Sequence, residues 1–296
     1  MIVTFGSLNA DLIFSVETLP RPGQTLMAKG LATEAGGKGA NQALAAALDG
    51  AEVAMAGAVG QDALAEVALA GLKGRVDLSR VARLEASTGC AAIHRDAEGR
   101  NEIVVAGGAN LAAASGGVED ALLDRASVLL LQMENDPAEI ERLIRRCRPA
   151  KAMSILNLAP AYRLDPEVLG LCDLIVVNED EAAAMAGWLG CAPEPRALAL
   201  ASGAGILRTL GGEGAELCWQ GQEVSIPALS CTVKDTTAAG DCFVGVFAAA
   251  LDRGETPEAA LRRAAAAAAI ACTRIGSQSS LPEARDTDAV LAGAAV

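Results

Sequence analysis

Short apolar runs recur along the chain, each ending in a turn or in polar residues. Ile2-Val-Thr-Phe5 runs into Gly6-Ser-Leu-Asn-Ala-Asp11, 53–59 is a second such run, and from Leu122 onward runs at 127–131, 152–157 and 174–177 alternate with helix-like segments. Runs of this length without polar alternation predict strands covered on both faces. Their alternation with helices predicts a mainly parallel sheet with helices on either side. Helices are expected over 62–72, after Asp136-Pro137, and from Thr256-Pro-Glu, where a cap residue and an N1 proline open an alanine-rich body reaching Cys272. Two segments break the rhythm. Leu12 to Ala32 lacks the alternation, with weak strand character only after the turn at Pro20-Arg-Pro-Gly23 through Ala32, and 88–95 with 102–105 flank the tip Asp96-Ala-Glu-Gly99 as a hairpin. They predict a small separate sheet, a lid or a dimer contact. A further hairpin is expected at 215–218 and 223–226.

Polar and glycine-rich stretches at the ends of these runs carry the candidate chemistry. Asp235-Thr-Thr-Ala-Ala-Gly-Asp241 leads into an apolar stretch of helical length, 242–251. Ala238-Ala-Gly240 thus reads as a tight turn into a helix N-terminus, where free N–H groups and the positive dipole end bind anions. Asp241, in the first turn, is either a base that deprotonates a hydroxyl attacking a phosphate or a helix cap. Ala35-Gly-Gly-Lys-Gly-Ala-Asn41 opens another helix. Its glycines admit a ligand close to the backbone and Lys38 and Asn41 supply donors, although a plain strand-to-helix turn explains the same residues. It is no Walker A loop, because Ala32 stands where the first glycine belongs and Gly39 where Ser or Thr is required. Asn9 and Asp11, two apart in an extended segment, point to one side as ligand groups or form Asx turns. Glu134, Asn157 and Asn178-Glu-Asp-Glu181 mark later strand ends, where open α/β sheets bind ligands; the last run equally fits a helix N-cap. Gly211-Gly-Glu-Gly214 follows a strand and suits a nucleotide, but matches no G-x-G-x-x-G fingerprint.

Composition narrows the class. The 296 residues make one large α/β domain or two small ones, with no linker that forces a split. With 37 acidic against 24 basic residues and a net charge of −13, the chain repels nucleic acid and anionic membranes, so a phosphate site must draw on backbone dipoles, a metal or local positive charge. Eight scattered cysteines with no C-x-x-C, and the single His94, argue for reduced, mostly buried thiols and against zinc or disulfides. The start lacks a basic n-region and the longest uncharged small-apolar run, 264–272, is too short to span a bilayer, which predicts a soluble, cytoplasmic protein.

Taken together and in order, Gly6-Ser-Leu-Asn-Ala-Asp11, Gly36-Gly-Lys-Gly-Ala-Asn41, Ser87-Thr-Gly89, Gly107-Gly-Ala-Asn110, Gln132-Met-Glu134, Asn178-Glu-Asp-Glu181, Thr209-Leu-Gly211 and Asp235-Thr-Thr-Ala-Ala-Gly-Asp241 resemble the ribokinase-like (PfkB) carbohydrate kinases over nearly the whole chain. The resemblance implies a single three-layer α/β/α domain over 1–296 with a mainly parallel central sheet, and a small β lid from 12–35 and 87–106 through which a homodimer forms. It implies transfer of the γ-phosphate of ATP to the primary (5-) hydroxyl of D-ribose. Asn9, Asp11, Gly37, Lys38, Asn41 and Glu134 would hold the sugar. Asp241 would be the base, and the amides of Ala238, Ala239, Gly240 and Asp241 the anion hole. Asn178, Thr209, Gly211 and Gly214 would border the nucleotide, and Glu181 would organise Mg²⁺ through water. A monovalent cation, usually K⁺, would use Asp235, the Thr237 carbonyl and the loop around Ile275 to Ser280. Many members have Gly where Ala238 stands. Fructose, a keto-deoxy sugar acid or a nucleoside are the alternative substrates, and a non-catalytic sugar-binding regulator the alternative from another class.

Overall fold

The computed structural model describes residues 1–98 and 100–296. The strands are β1 (Ile2–Phe5), β2 (Asn9–Ser15), β3 (Gly30–Gly36), β4 (Val53–Gly60), β5 (Asp77–Leu84), β6 (Gly89–Arg95), β7 (Asn101–Ala106), β8 (Val128–Gln132), β9 (Met153–Asn157), β10 (Leu174–Val177), β11 (Gly205–Thr209), β12 (Ala215–Trp219) and β13 (Gln222–Ile226). The helices are α1 (Lys38–Leu48), α2 (Ala63–Leu69), α3 (Asp120–Leu123), α4 (Pro137–Cys147), α5 (Pro166–Leu169), α6 (Glu179–Leu189), α7 (Pro195–Ser202), α8 (Ala239–Asp252), α9 (Pro257–Cys272) and α10 (Ala284–Leu291). Among the described residues nine strands form one sheet, β13-β12-β11-β10-β9-β8-β1-β4-β5, and four form another, β3-β2-β6-β7.

From β11 through β5 all neighbours in the large sheet are parallel, and the β12–β13 hairpin closes one edge antiparallel. The apolar runs predict this, because a strand with helices on both faces keeps no polar side; all eight residues of β4 are buried. Successive side chains feed opposite layers. Leu130 packs with α1, α8 and α9, while its neighbours Leu129 and Leu131 pack on the α4 side. The chain leaves β1 toward β4 and β5, then returns to β8 on the other flank of β1 and continues outward. This reversal opens a crevice at the carboxyl ends of β1 and β8, where ligands gather in such sheets.

The alanine content has a packing role. A Cβ on Gly245 of α8 would lie 2.4 Å from the Gln42 carbonyl and 2.8 Å from the Ala45 Cβ, so the α8 backbone rests directly on α1. Ala264 to Ala267 of α9 are all buried, and they let that helix close on the same layer.

Several elements differ from the sequence expectation. Strand β5 was not anticipated, since Asp-Leu-Ser-Arg-Val-Ala-Arg-Leu carries polar residues on both sides; it is a half-exposed edge strand. After the Pro20-Arg-Pro-Gly23 turn extended structure begins only at Gly30 and continues to Gly36, with turns and irregular backbone over 16–29. At the hairpin tip Asp96 accepts from the amides of Glu98 and Arg100, both at 3.0 Å, and Gly99 lies outside the described residues. All eight cysteines are free, but only Cys147, Cys172 and Cys242 are buried, the others being half-buried. In the small sheet Leu31, Ile103, Val104 and Val105 are each at least half exposed. Among the described residues no helix is long and apolar enough to cross a membrane.

One buried ion cluster locks the helical layer. Asp49, at the end of α1, accepts from Arg263 Nε at 2.8 Å and Nη2 at 2.7 Å, and from Arg253 Nη2 at 2.9 Å. Asp49→Ala leaves the Arg263 guanidinium with Asp288 alone, and should lower stability by about 3 kcal/mol in urea unfolding; a loss within error of zero would show that the cluster is solvated.

Candidate active site

The start of α1 is pinned over the crevice. Gly37 has φ 91°, and a Cβ there would lie 2.9 Å from both the Ser7 carbonyl oxygen and the Asn9 nitrogen, so only glycine makes this turn. One carboxylate oxygen of Glu134, at the end of β8, accepts from the Lys38 amide at 3.0 Å and the Ser7 hydroxyl at 2.5 Å; the Ser7 Oγ in turn accepts from the Gly39 amide at 3.2 Å. Glu134, expected as a sugar ligand, thus spends Oε2 on joining β1, β8 and α1 and keeps Oε1 free of these bonds.

Across from it begins α8. Ala238 adopts φ 58°, ψ 8°, a left-handed conformation that costs an L-residue about 1–2 kcal/mol and turns the chain sharply into the helix. The Ala239 amide donates to the Thr236 carbonyl at 3.2 Å, while those of Gly240 and Asp241 have no acceptor among the described residues. The Asp241 carboxylate caps nothing. Its Oδ2 accepts from Asn41 Nδ2 at 3.0 Å and its Oδ1 from Gln42 Nε2 at 3.0 Å, both across the gap to α1. Gln42 is itself held, donating to Asn157 Oδ1 at 2.9 Å and accepting from Gln132 Nε2 at 2.7 Å. The Asp241 charge holds the half-buried Lys38 ammonium above the usual lysine range; burial opposes this, and Glu134 and Glu181 assist it. Lys38 therefore stays cationic.

Asn9 and Asp11 project from β2 as expected, and not as Asx turns. Asn9 Oδ1 accepts from Asn110 Nδ2 at 2.7 Å, and a Cβ on Gly36 would lie 2.0 Å from Asp11 Oδ2. Burial, followed by the charges of Glu134, Glu34 and Asp241, raises the Asp11 carboxyl to about 7. Asp11 Oδ1 and Asn41 Oδ1 are buried acceptors with no hydrogen-bond partner. Buried polar atoms without partners are rare, and hydroxyl donors from a polyol would satisfy both.

Two cavities lie beside Lys38 and Asp241, and neither is lined by Asn9, Asp11, Asn41 or Glu134. A 220 Å³ cavity is lined by Lys38, Asn157, Asn178, Glu181, Ala238, Gly240 and Asp241. A 620 Å³ cavity is lined by Gly211, Gly214, Phe243, Ala269 and Cys272 and shares Asn178, Thr209, Thr236 and Gly240 with the first, so the two are one cleft. Asn178 and Glu181 do form the helix cap considered above, since each accepts the other's backbone amide at 2.8 Å. Both nevertheless face the cleft, and burial raises the Glu181 carboxyl above its usual range. Among the described residues no group of three His, Cys, Asp or Glu could hold a metal. One free Glu181 oxygen fits Mg²⁺ that keeps waters and takes its other ligands from phosphates.

The expected monovalent-cation site fits less well. Asp235 Oδ1 accepts from the Thr237 amide at 3.0 Å and hydroxyl at 2.6 Å, and its Oδ2 from the Gly276 amide at 3.2 Å and from Arg95 Nη1 at 3.3 Å. The Ile275 carbonyl accepts from Ser279 Oγ at 3.3 Å. A carboxylate already surrounded by four donors, one of them a guanidinium, has no oxygen facing an ion.

The residues missed at the sequence level are Ser7, Gln42 and Asn110. Gln42 had a signal, because Lys38, Asn41 and Gln42 fall at i, i+3 and i+4 on one helix face.

Residues 1–284 match the sequence model of the pfkB family of carbohydrate kinases. The chain is 35% identical to the ribokinase of Haemophilus influenzae over 97% of its own length and 96% of that protein's. It is 32% identical to the deoxyribokinase of Salmonella typhi, over 95% of both. The structure of Arabidopsis thaliana ribokinase complexed with ribose and ATP superposes with a TM-score of 0.89 at 29% identity, covering 99% of each chain. The chain belongs to the pfkB family of carbohydrate kinases and is a phosphotransferase acting on a sugar hydroxyl.

Proposed function

We propose that the protein transfers the γ-phosphate of ATP to the 5-hydroxyl of D-ribose, with Asp241 as general base. The observation that carries this is the buried Asp241 carboxylate, gripped by the side-chain amides of two α1 residues and set in the first turn of a helix whose Gly240 and Asp241 N–H groups are free. The sugar's primary hydroxyl gives its proton to Asp241 as its oxygen attacks the γ-phosphorus; the bond to the bridging oxygen breaks and ADP leaves. The free Gly240 and Asp241 amides and the Lys38 ammonium face the charge that builds on the transferring group. Asn9, Asp11, Asn41 and the free oxygen of Glu134 hold the remaining hydroxyls. The larger cavity, bordered by Asn178, Thr209, Gly211 and Gly214, takes the nucleotide. Mg²⁺ bound to the phosphates, reached by Glu181 through water, would neutralise their oxygens.

Similarity to ribokinases, one of them solved with ribose and ATP, supports ribose as substrate. Similarity to a deoxyribokinase favours 2-deoxyribose as the second reading. A sugar acid is disfavoured, since neither cavity is lined by arginine, and Phe243, the aromatic residue of the cleft, stands on the nucleotide side. We also propose that the four-stranded sheet is a lid over the sugar and a dimer contact. Its row of exposed Ile103, Val104 and Val105 supports this, because solvated strands rarely carry such a patch without a partner.

ADP release on mixing with ATP should require ribose or 2-deoxyribose in a panel that includes fructose and nucleosides. Asp241→Asn should lower kcat by about 10²–10⁴ with sugar affinity little changed; equal loss of ribose binding in calorimetry would make Asp241 a structural residue. Asp11 accepts from sugar hydroxyls with both oxygens, and most strongly, when ionised. With its carboxyl at about 7 in the free enzyme, kcat/KM for sugar should fall as pH drops below about 7 and level off above it. Asp11→Asn should remove that limb, and a wild-type profile flat from pH 6 to 8 would refute the assignment. Val104→Lys should shift a dimer toward monomer in light scattering; a monomeric wild type would rule the contact out.

A further inference from the structure

Arg95 is a residue for which the phosphotransfer chemistry has no use, yet it reaches out of the small sheet to Asp235, at the start of the turn that aims the Gly240 and Asp241 amides. It ends β6, paired with Ser15 of β2 and Asn101 of β7, and its Nη1 lies 3.3 Å from Asp235 Oδ2. Asp235 is nearly closed off, its side chain 12% exposed against 33% for Arg95. The two oxygens of Asp235 gather the Thr237 amide and hydroxyl from its own turn and the Gly276 amide from the loop after α9, so this carboxylate ties both loops together. A carboxylate held this far out of water needs a countercharge, and the Arg95 guanidinium is the cationic group on it.

We propose that the Arg95 guanidinium supplies that countercharge in place of a monovalent cation, making Arg95 a positioning residue and the enzyme independent of K⁺. A carboxylate has about four acceptor sites, and here all four meet donors. An ion at this point would have to displace Arg95 and win oxygens from Ile275, whose carbonyl already accepts from Ser279. Arginine suits the role, since its charge is permanent and its weakly hydrated plane is readily held in a half-buried pair. The proposal rests on the kinase reading of the turn, but binding can be tested without catalysis.

Turnover is measured by separating ADP chromatographically, which avoids coupling enzymes with salt requirements of their own. Wild-type kcat should be equal in tetramethylammonium chloride and in KCl, and its melting temperature should not respond to replacing one salt with the other. Arg95→Ala should lose about tenfold in kcat without K⁺, the worth of one charged hydrogen bond, and recover when KCl is added. Arg95→Lys should keep its rate in both salts. Strong K⁺ activation of the wild type, a K⁺-specific rise in its melting temperature, or an Arg95→Ala enzyme indifferent to both the substitution and the salt would each overturn the proposal. Should Arg95→Ala fail to fold, the wild-type salt comparison decides. Absence of turnover with any sugar in either salt would count against the substrate assignment, and the melting comparison would still judge Arg95.

Discussion

The two amide hydrogen bonds from Asn41 and Gln42 to the Asp241 carboxylate are the join on which the site depends. An ionised carboxylate taken out of water costs several kcal/mol unless donors meet it, and here each oxygen meets one. Those donors reach it only because α8 lies against α1 with no side chain between them at Gly245. The same contact places Lys38, one turn before Gln42, beside the free amides of α8. The proposed base, cation and anion hole would therefore all follow from a single helix–helix approach made possible by glycine and alanine.

Charge then divides the crevice. Asp11, Glu34, Glu134 and Asp241 share one end, and burial first, then the neighbouring acids, keep Asp11 protonated up to about pH 7. Such a pocket receives neutral hydroxyls well and anions poorly. In the proposed reading phosphate sits where Lys38 and the α8 N-terminus oppose the acids, beside the cavity that turns toward Thr209 and Gly211. A chain of net charge −13 can bind a polyanion because the attraction is confined to these few groups.

Much of the fold was legible because buried parallel strands cannot hide. β1, β4, β8, β9 and β10 carry no charged residue and are almost wholly apolar, and each was expected within a residue or two of its place. β5 was invisible for the opposite reason, an edge strand half in water being free to carry arginine and aspartate on both sides. The glycine motifs were visible but ambiguous. Gly37 is required by its positive φ and by the Ser7 carbonyl against it, and no local pattern names a carbonyl thirty residues away as the cause. Asn110 and Arg95 were beyond reach in the same way, since their partners Asn9 and Asp235 lie far off in the chain.

What the sequence determined by itself was the alternation of buried strands and helices, the polar residues at the strand ends, and two glycine-bearing helix starts with a lysine on one and an aspartate on the other. These are local properties, set by backbone sterics and by which faces meet water. Tertiary structure alone decided whether Asp241 capped its own helix or faced another, whether Glu134 was a ligand or a clamp, and what neutralises Asp235. A side chain with several possible partners takes the one that packing brings within about 3 Å, and packing is a property of the whole chain.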